Sequence, residues 1–571
     1  MHRAHAAARV AIVLLAAAAT IPPRPADAQT DGILQVDDEV YRFLFRQQTS
    51  GRLGDAFLTA QPIAAHTARA LLDSIAAQDS HAGSDGSREG SSRSLNAVDR
   101  RILDRLRGVS MSAPTAHVNE KLPFVFTNGV DLYAGSGEGY RFQLNPLLNV
   151  RVGRARLSGD GVDETVPVWQ STRGLRASGS FADAIFFEAR LEENQRRVVD
   201  ANYDADRKTA PRLGKANLDA EREVLDYLVA TGVVGYRSRF FEVRFGRDRN
   251  RWGPAIGAVG LSNYGPVSDQ LQIRTTFGPV QYTNLFASLT TGRIAPRDGI
   301  IPKKYAAMHR LTIRLPRRVE LSFSEFVNFA TDSLGARRSF DVAYLNPVIF
   351  LRAAEADRGS PDNVLLGASA SWVAYPGYRI YGGILLDELR VSQIGDGWWA
   401  NKWAVQLGAH VVPHPRADVR VEYTRLRPYM YAHVNPLNAH LHYDDVLGHP
   451  AGPNAIDWLV VLRARATEDL HATATFYHTV SGVDTTGANF GSNPRLSNNT
   501  RVSDTDVRIL QGVRMTETYA ELLVSYEILP RLFAEASVAM SRTDHALTGV
   551  ERAVIPMAGF RWGLVATNPR Y

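Results

Sequence analysis

The 571-residue chain contains no cysteine, which excludes disulfides, thiolate metal sites and cysteine nucleophiles together. Lysine is nearly as scarce: Lys121, Lys208, Lys215, Lys303, Lys304 and Lys402 are the full set, so 59 arginines stand against 59 acidic residues. Planar guanidinium groups suit carboxylates, phosphates and aromatic faces, which admits acidic glycans or lipid headgroups as partners, although a GC-rich coding sequence gives the same bias. No basic block stands out, which points away from nucleic acid. After the first 30 residues no run approaches the ~18 uninterrupted apolar residues of a helical membrane span. Catalytic signatures are missing as well, with no Gly-x-Ser-x-Gly elbow, no His-Glu-x-x-His and no lysine-bearing phosphate loop. A Ser-His pair on a barrel wall would leave no recognisable spacing. The expectation is a non-enzymatic chain with no catalytic residues, cofactor or metal.

What is present begins with Arg3 and Arg9 ahead of an apolar run from Val10 to Ile21, followed by Pro22, Pro23, Pro25 and Ala26-Asp27-Ala28. That run is shorter than the ~20 residues a membrane anchor needs. Residues 1–28 therefore read as a secretory signal peptide cleaved after Ala28.

From 29 to 115 the apolar period is helical. Asp37 and Asp38 cap a first helix carrying Val40, Tyr41, Phe43 and Leu44, which ends near Gly51. Pro62 opens a second, with Ala64, Ala68, Leu71, Leu72 and Ile75 on one face. The stretch HAGSDGSREGSSR, residues 81–93, reads as a flexible linker. A third helix runs from about Leu95 to Arg107, with Gly108 placed to terminate it. Three short amphipathic helices bury little alone, so they are expected to dock on something larger.

From 116 to 571 the period becomes two. In ADVRVEYTRL, Val419, Val421 and Tyr423 alternate with Arg420, Glu422 and Thr424; in KWAVQLGAHVV, Trp403, Val405 and Leu407 alternate with Ala404, Gln406 and Gly408. Alternation alone fits both a soluble sandwich and a membrane barrel. Four features favour the barrel: export without cysteine, a strand-rich region too long for an ordinary sandwich, a chain end at aromatic Tyr571, and aromatics at strand ends (Trp252, Tyr264, Trp398, Trp399, Tyr429, Tyr431) placed as an interfacial girdle would be. At roughly 25 residues per strand with its turn, about 450 residues make about 18 strands. The fold expected is an all-β transmembrane, antiparallel outer-membrane β-barrel.

The motifs GRDRNRWGPAIGAVGLSN, YLNPVIF, YTRLRPYMYAH and LGHPAGPNA, with the helical stretches VYRFLFRQQTSGRL and PIAAHTARALL, resemble the capsule-assembly Wzi family of outer-membrane proteins in a divergent form. The resemblance implies an eighteen-stranded barrel with a small periplasmic helical bundle at its mouth. It also implies a surface role, binding capsular or extracellular polysaccharide and assisting its assembly or attachment. The competing reading of the same arginine-rich interior is a channel for oligosaccharides or anions. A monomer in contact with outer-membrane lipid is the expected state.

Two stretches carry the candidate sites. Arg247, Arg249, Arg251 and Trp252 form a lumen or rim arginine cluster, with Trp252 expected at the membrane interface and the arginines expected to pair with lumenal carboxylates or engage acidic groups. The segment Tyr423 to Ala455 is the expected external loop. There Tyr429 and Tyr431 are candidates to stack on sugar rings, and Arg425, Arg427, Asp444 and Asp445 to bond hydroxyls or carboxylates. The loop histidines His433, His440, His442 and His449 match no metal-ligand spacing and read as polar loop residues.

Overall fold

Two strands, Tyr140–Gly159 and Val162–Phe181, meet at Asp160-Gly161, where both residues take positive φ (36° and 84°). Left-handed backbone at both central positions suits a two-residue hairpin, and Asp-Gly tolerates it. A computed structural model describes residues 32–84, 94–107, 131–182, 184–197, 209–291, 303–330, 332–333, 336–337, 342–346 and 362–566. The expected signal peptide at 1–28, residues 85–93 of the expected linker and Tyr571 lie outside them.

Sixteen further strands follow the first hairpin, making a closed 18-stranded antiparallel barrel. In chain order they are β1 (Tyr140–Gly159), β2 (Val162–Phe181), β3 (Ile185–Arg197), β4 (Val224–Arg237), β5 (Phe241–Asp248) and β6 (Ser268–Phe277). Next come β7 (Val280–Thr290), β8 (Lys303–Leu315), β9 (Val319–Ala330), β10 (Asn363–Tyr375), β11 (Tyr378–Glu388) and β12 (Lys402–His414). The last are β13 (Ala417–Leu426), β14 (Ala455–Arg465), β15 (Leu470–Val483), β16 (Val513–Leu529), β17 (Leu532–His545) and β18 (Gly549–Trp562). Each pairs with its neighbour in sequence, and β18 closes on β1 with Trp562 opposite Leu148. Closure leaves no free edge, as a lipid environment requires.

Exposure decides which face is outside. Phe245 is 66 % exposed and Leu407 59 %, whereas Arg420 and Glu422, on the opposite parity, are 5 % and 2 % exposed. The apolar parity therefore faces outward around the wall, and the polar parity faces the lumen. Exposed aromatics gather at one rim: Phe181, Phe240, Phe241, Phe277, Tyr375 and Tyr378, with Phe240 and Phe277 stacked at 4.9 Å. All are at strand ends joined by short turns, such as 278–279 and 376–377, while the opposite end carries the long segments 249–267, 427–454 and 484–512. Short turns mark the periplasmic side and long loops the extracellular side.

At the short-turn end sit three helices: α1 (Glu39–Thr49), α2 (Ala65–Ser84) and α3 (Ala97–Leu106). Asp38 caps α1 by accepting from the Val40 N–H at 2.9 Å, and Asn96 caps α3 by accepting from the Asp99 N–H at 2.9 Å. The helix α2 continues through Ser84, so the first four residues of the expected linker are helical instead. Tyr41, Phe43, Leu44, Leu72, Ile75, Ile102 and Leu103 pack into a core between the helices. Docking onto the barrel uses the turns: Arg46 Nη1 donates to the Ala417 carbonyl at 3.0 Å, and the Gly377 N–H donates to the Thr49 carbonyl at 2.8 Å.

The expected girdle needs correction. Trp252, Trp399, Tyr429 and Tyr431 are buried, not interfacial, because each packs among segments that connect the strands, Trp252 and Tyr431 in one apolar cluster and Trp399 and Tyr429 in another with Val507. Nor is the lumen uniformly polar. Trp252, Val259, Leu261, Phe326, Leu365, Leu385, Met430 and Leu447 form an apolar core inside the barrel, where inward strand positions meet returning loops.

Candidate functional site

The segment 249–267 leaves β5 at the extracellular end and runs down into the barrel. There Ala60 and Gln61, from the N-terminal region, pair antiparallel with Trp252 and Arg251. The Gly253 N–H donates to the Thr59 carbonyl at 2.8 Å. A strand entering from below thus meets a loop entering from above. Arginines of the wall hold its backbone carbonyls: Arg244 Nη1 donates to Pro62 at 2.8 Å, and Arg274 Nη2 to Ala60 and Pro62, each at 3.0 Å. Such charge-assisted bonds to carbonyls satisfy backbone that no water reaches.

The same loop is fixed further up. Glu422 accepts from the Ile256 N–H at 2.8 Å and the Gly257 N–H at 3.3 Å, and the Tyr381 hydroxyl donates to it at 2.7 Å. Gln406 Nε2 donates to the Gly257 carbonyl at 2.6 Å. The remaining space beside Trp252, Arg310, Phe326 and Gln406 is a cavity of about 40 Å³, on the scale of a single water.

Within the predicted arginine cluster the members go to different places. Arg251 is buried, ion-paired with Asp37, and donates to Gln61 Oε1 at 3.0 Å. Asp37 also accepts from Asn263 Nδ2 at 3.2 Å. Burial opposes ionisation of Asp37, but Arg251 and Arg42 outweigh it and hold the carboxyl below its ordinary value. Arg247 forms a cross-strand pair with Asp269 at 3.3 Å, with both groups substantially exposed. Arg249 is half-buried, and its N–H donates to Asp248 Oδ1 at 2.8 Å. Trp252 packs beside Phe326 in the lumen, 6.0 Å between ring centroids.

The predicted binding residues of 423–455 do not converge on one face. Arg425 is exposed on the outer side of β13, 5.9 Å from the Trp403 ring centroid. Arg427 is half-buried and donates to the Val507 carbonyl at 3.1 Å. Tyr429 and Tyr431 are 1 % and 0 % exposed, so no ring face is open to a sugar, which corrects the stacking role. Their hydroxyls instead join loops, Tyr429 donating to the Asn489 carbonyl and Tyr431 to the Val259 carbonyl, each at 2.8 Å. Asp444 lies in the turn of a small hairpin, Leu441–His442 with Asp445–Val446, where Tyr443 and Asp444 take φ of 51° and 68°. Asp445 accepts from the Arg212 N–H at 2.8 Å, and burial pushes its carboxyl up to about 7.

The histidines anchor backbone. His440 Nε2 is 2.7 Å from the Gly260 carbonyl, and His442 Nδ1 accepts from the Thr290 N–H at 3.0 Å. Burial lowers both rings to about 4, so they are neutral at physiological pH. Among the described residues no cluster of three or more metal-ligating groups occurs.

Sequence reading passed over the two lysines that hold this loop. Lys304 Nζ donates to the Ala439 carbonyl at 2.6 Å. Lys402 Nζ donates to the Ala432 carbonyl at 3.1 Å, and it pairs with Asp387 at 3.0 Å and Glu388 at 3.2 Å. The available signal was rarity: in a chain built on arginine, a compact ammonium marks a place where a planar fork does not fit.

A closed barrel with an apolar outer wall, a helical cap at the short-turn end and loops that return into its lumen is an outer-membrane β-barrel protein. The chain belongs to the capsule assembly protein Wzi family, whose model matches residues 174–542. Among solved structures it is similar to Wzi of Escherichia coli, described as a carbohydrate-binding β-barrel involved in group 1 capsule assembly, at 11% identity and a TM-score of 0.49, covering 92% of this chain and 99% of that one. It is also similar to OccK1 (OpdK) of Pseudomonas aeruginosa, at 9% identity, a TM-score of 0.41, and 75% and 100% coverage. For OprD of the same organism the values are 10%, 0.38, and 74% and 94%. No curated protein matches the chain in sequence.

Proposed function

We propose that this barrel binds capsular or extracellular polysaccharide at the cell surface and assists its assembly or attachment, without catalysing a reaction. Membership of a capsule-assembly family supports the substrate class. The observation that carries the mode of action is the pairing of Ala60 and Gln61 with Trp252 and Arg251 inside the barrel. Paired backbone crossing the lumen at this point favours a surface scaffold over a channel. Recognition then falls to the extracellular end, with Arg427, Asp444 and Asp445 of the loops and Arg425 at the end of β13 as polar candidates, and with Tyr429 and Tyr431 setting loop shape rather than touching sugar.

The test has two arms. In a strain that makes capsule, deletion of the gene is expected to release polysaccharide into the medium, and the purified protein is expected to retain that polysaccharide in a pull-down. In planar bilayers the purified protein is expected to stay closed. Normal surface polysaccharide in the deletion strain, together with steady conductance of the purified protein, would replace this reading with the channel.

A further inference from the structure

The outer wall carries a polar feature that neither the lumen nor the loops use. Outward side chains of β15 to β18 line up in rows across the strands. The rows Ala474, Leu522, Val538, Pro556 and Phe476, Ala520, Met540, Val554 belong to the apolar face. One step toward the extracellular end the character changes, and His478, Thr518, Arg542 and Arg552 stand in register. Above them Thr516 faces Asp544, and Arg514 faces Gly482. His478, Arg514, Thr516, Thr518, Arg542 and Asp544 line an open cavity of about 430 Å³ on this outer face.

Its charge is not balanced from within. Arg542 and Arg552 stand directly opposite each other on neighbouring strands, a repulsive placement unless an anion lies between them. Asp544 answers only one of them, accepting from Arg542 Nη2 at 3.1 Å with both groups about half exposed. Two guanidinium groups that line the cavity, Arg514 and Arg542, and a third beside it, Arg552, thus stand with one lining carboxylate. His478 Nδ1 and the Thr518 hydroxyl, 2.9 Å apart, add neutral hydrogen-bonding capacity beside them.

Height on the wall selects the ligand. Directly below the cavity, Phe476, Met540, Val554 and Leu522 are exposed on the apolar outer face, and the change from apolar to polar rows there is where a bilayer's headgroup level is expected. Guanidinium forks match phosphate oxygens in pairs, and hydroxyl and imidazole groups suit sugar hydroxyls. We propose that the outer wall of β15 to β18 binds the phosphorylated sugar headgroup of an outer-leaflet glycolipid, with Arg542 and Arg552 holding a phosphate between them. The acyl chains lie down the apolar rows beneath. The site is on the opposite side of the wall from the lumen and is independent of any polysaccharide held by the loops.

The test uses the full chain, folded in detergent and checked by its altered gel migration before boiling. Diphosphorylated lipid A in mixed micelles is expected to stay bound as a discrete adduct in native mass spectrometry. The paired substitution Arg542→Gln and Arg552→Gln is expected to weaken it about a hundredfold, at roughly tenfold for each guanidinium–phosphate hydrogen bond removed. Dephosphorylated lipid A on the unaltered protein is expected to lose a comparable factor, and this arm stands whether or not the variant folds. Inorganic phosphate is expected not to compete, since it lacks the chains that the apolar rows hold. Equal binding of the two lipids, unchanged binding by a folded variant, or inorganic phosphate binding as tightly as lipid A overturns the proposal.

Discussion

The two ends of this lumen are closed by different chemistry. At the periplasmic end, Arg46 lies 3.5 Å from Asp99 and 3.6 Å from Asp418, Arg465 pairs with Asp99 at 3.1 Å, and Asp418 also takes His410 at 3.2 Å and Arg463 at 3.4 Å. Farther out, Arg105 joins Glu39 of the cap to Glu527 of the wall. Toward the extracellular end the closure is apolar, with Trp252, Phe326, Leu365, Leu385 and Met430 packed around the returning loops. Ion pairs are directional and answer to pH; apolar burial is non-directional and has no charge for pH to change or for dilute salt to screen. The lower closure is thus a latch made of specific partners, and the upper one a packed core.

Breaking both at once gives the largest effect. Deleting residues 32–107 removes the helices and the strand that pairs with Trp252, leaving wall arginines such as Arg244 and Arg274 without their carbonyl partners. Conductance in planar bilayers is expected to appear in this variant and not in the intact protein. A deletion variant that folds and stays closed would show that the extracellular loops seal the barrel unaided.

The upper closure alone is tested by Trp252→Ala. Removing a buried tryptophan is expected to cost about 3–5 kcal/mol, read as a fall in the thermal midpoint in detergent that is the same at low and high salt. A loss that shrinks as salt rises would mean that the Arg251–Asp37 pair beside it, and not packing, holds the loop.

This division was only partly legible in the sequence. Period-two alternation separated the two sets of side chains along the wall, and Arg420, Glu422 and Thr424, one parity of ADVRVEYTRL, are all buried; which set faced outward rested on features other than the alternation. The helical period placed three helices, because local spacing is what a helix records. The inward course of 249–267 left no such trace. Its Gly and Pro read as a turn and its tryptophan as an interfacial residue, since the groups that receive it are remote: Asp37 is 214 positions from Arg251, and Glu422 is 166 from Ile256. For the same reason Tyr429 and Tyr431 resembled exposed platforms. Nothing near them in the chain announces that Asn489 and Val259 await their hydroxyls. Arg244, Arg274 and Arg310 bind the N-terminal segment across 182, 214 and 251 positions, and no local spacing ties them to it.

A pH series separates the two closures more gently. Burial alone would raise the Glu39 carboxyl, but Arg105, with His471, Arg465 and Arg42, outweighs it and holds the group at about 2 against an ordinary 4.5. An acid depressed in the folded state contributes stability above its unfolded value and loses it as pH falls toward the folded one. Between about pH 4.5 and about pH 2 the cap is expected to become accessible to an acid-stable protease while the near-ultraviolet signal of the apolar core persists. The Glu39→Gln variant is expected to lose part of that pH dependence. Simultaneous loss of cap protection and core signal would merge the two closures into one cooperative unit.

The smallest effect concerns the rim of the latch. Arg101 of α3 pairs with Glu468 in the turn between β14 and β15, with the two side chains 50% and 33% exposed. Exposed pairs of this kind contribute about 0–1 kcal/mol, so Arg101→Gln is expected to shift the thermal midpoint barely at all. Asp99→Asn reaches the buried network instead and leaves Arg46 and Arg465 short of a counter-charge, a change expected to cost about 3 kcal/mol or more. Comparing the two assigns the cap's hold to its interior or its perimeter. If Arg101→Gln releases the cap as readily as Asp99→Asn, the helices are held at their edge, and the contrast between a charged latch and a packed core becomes a contrast between an edge and an interior.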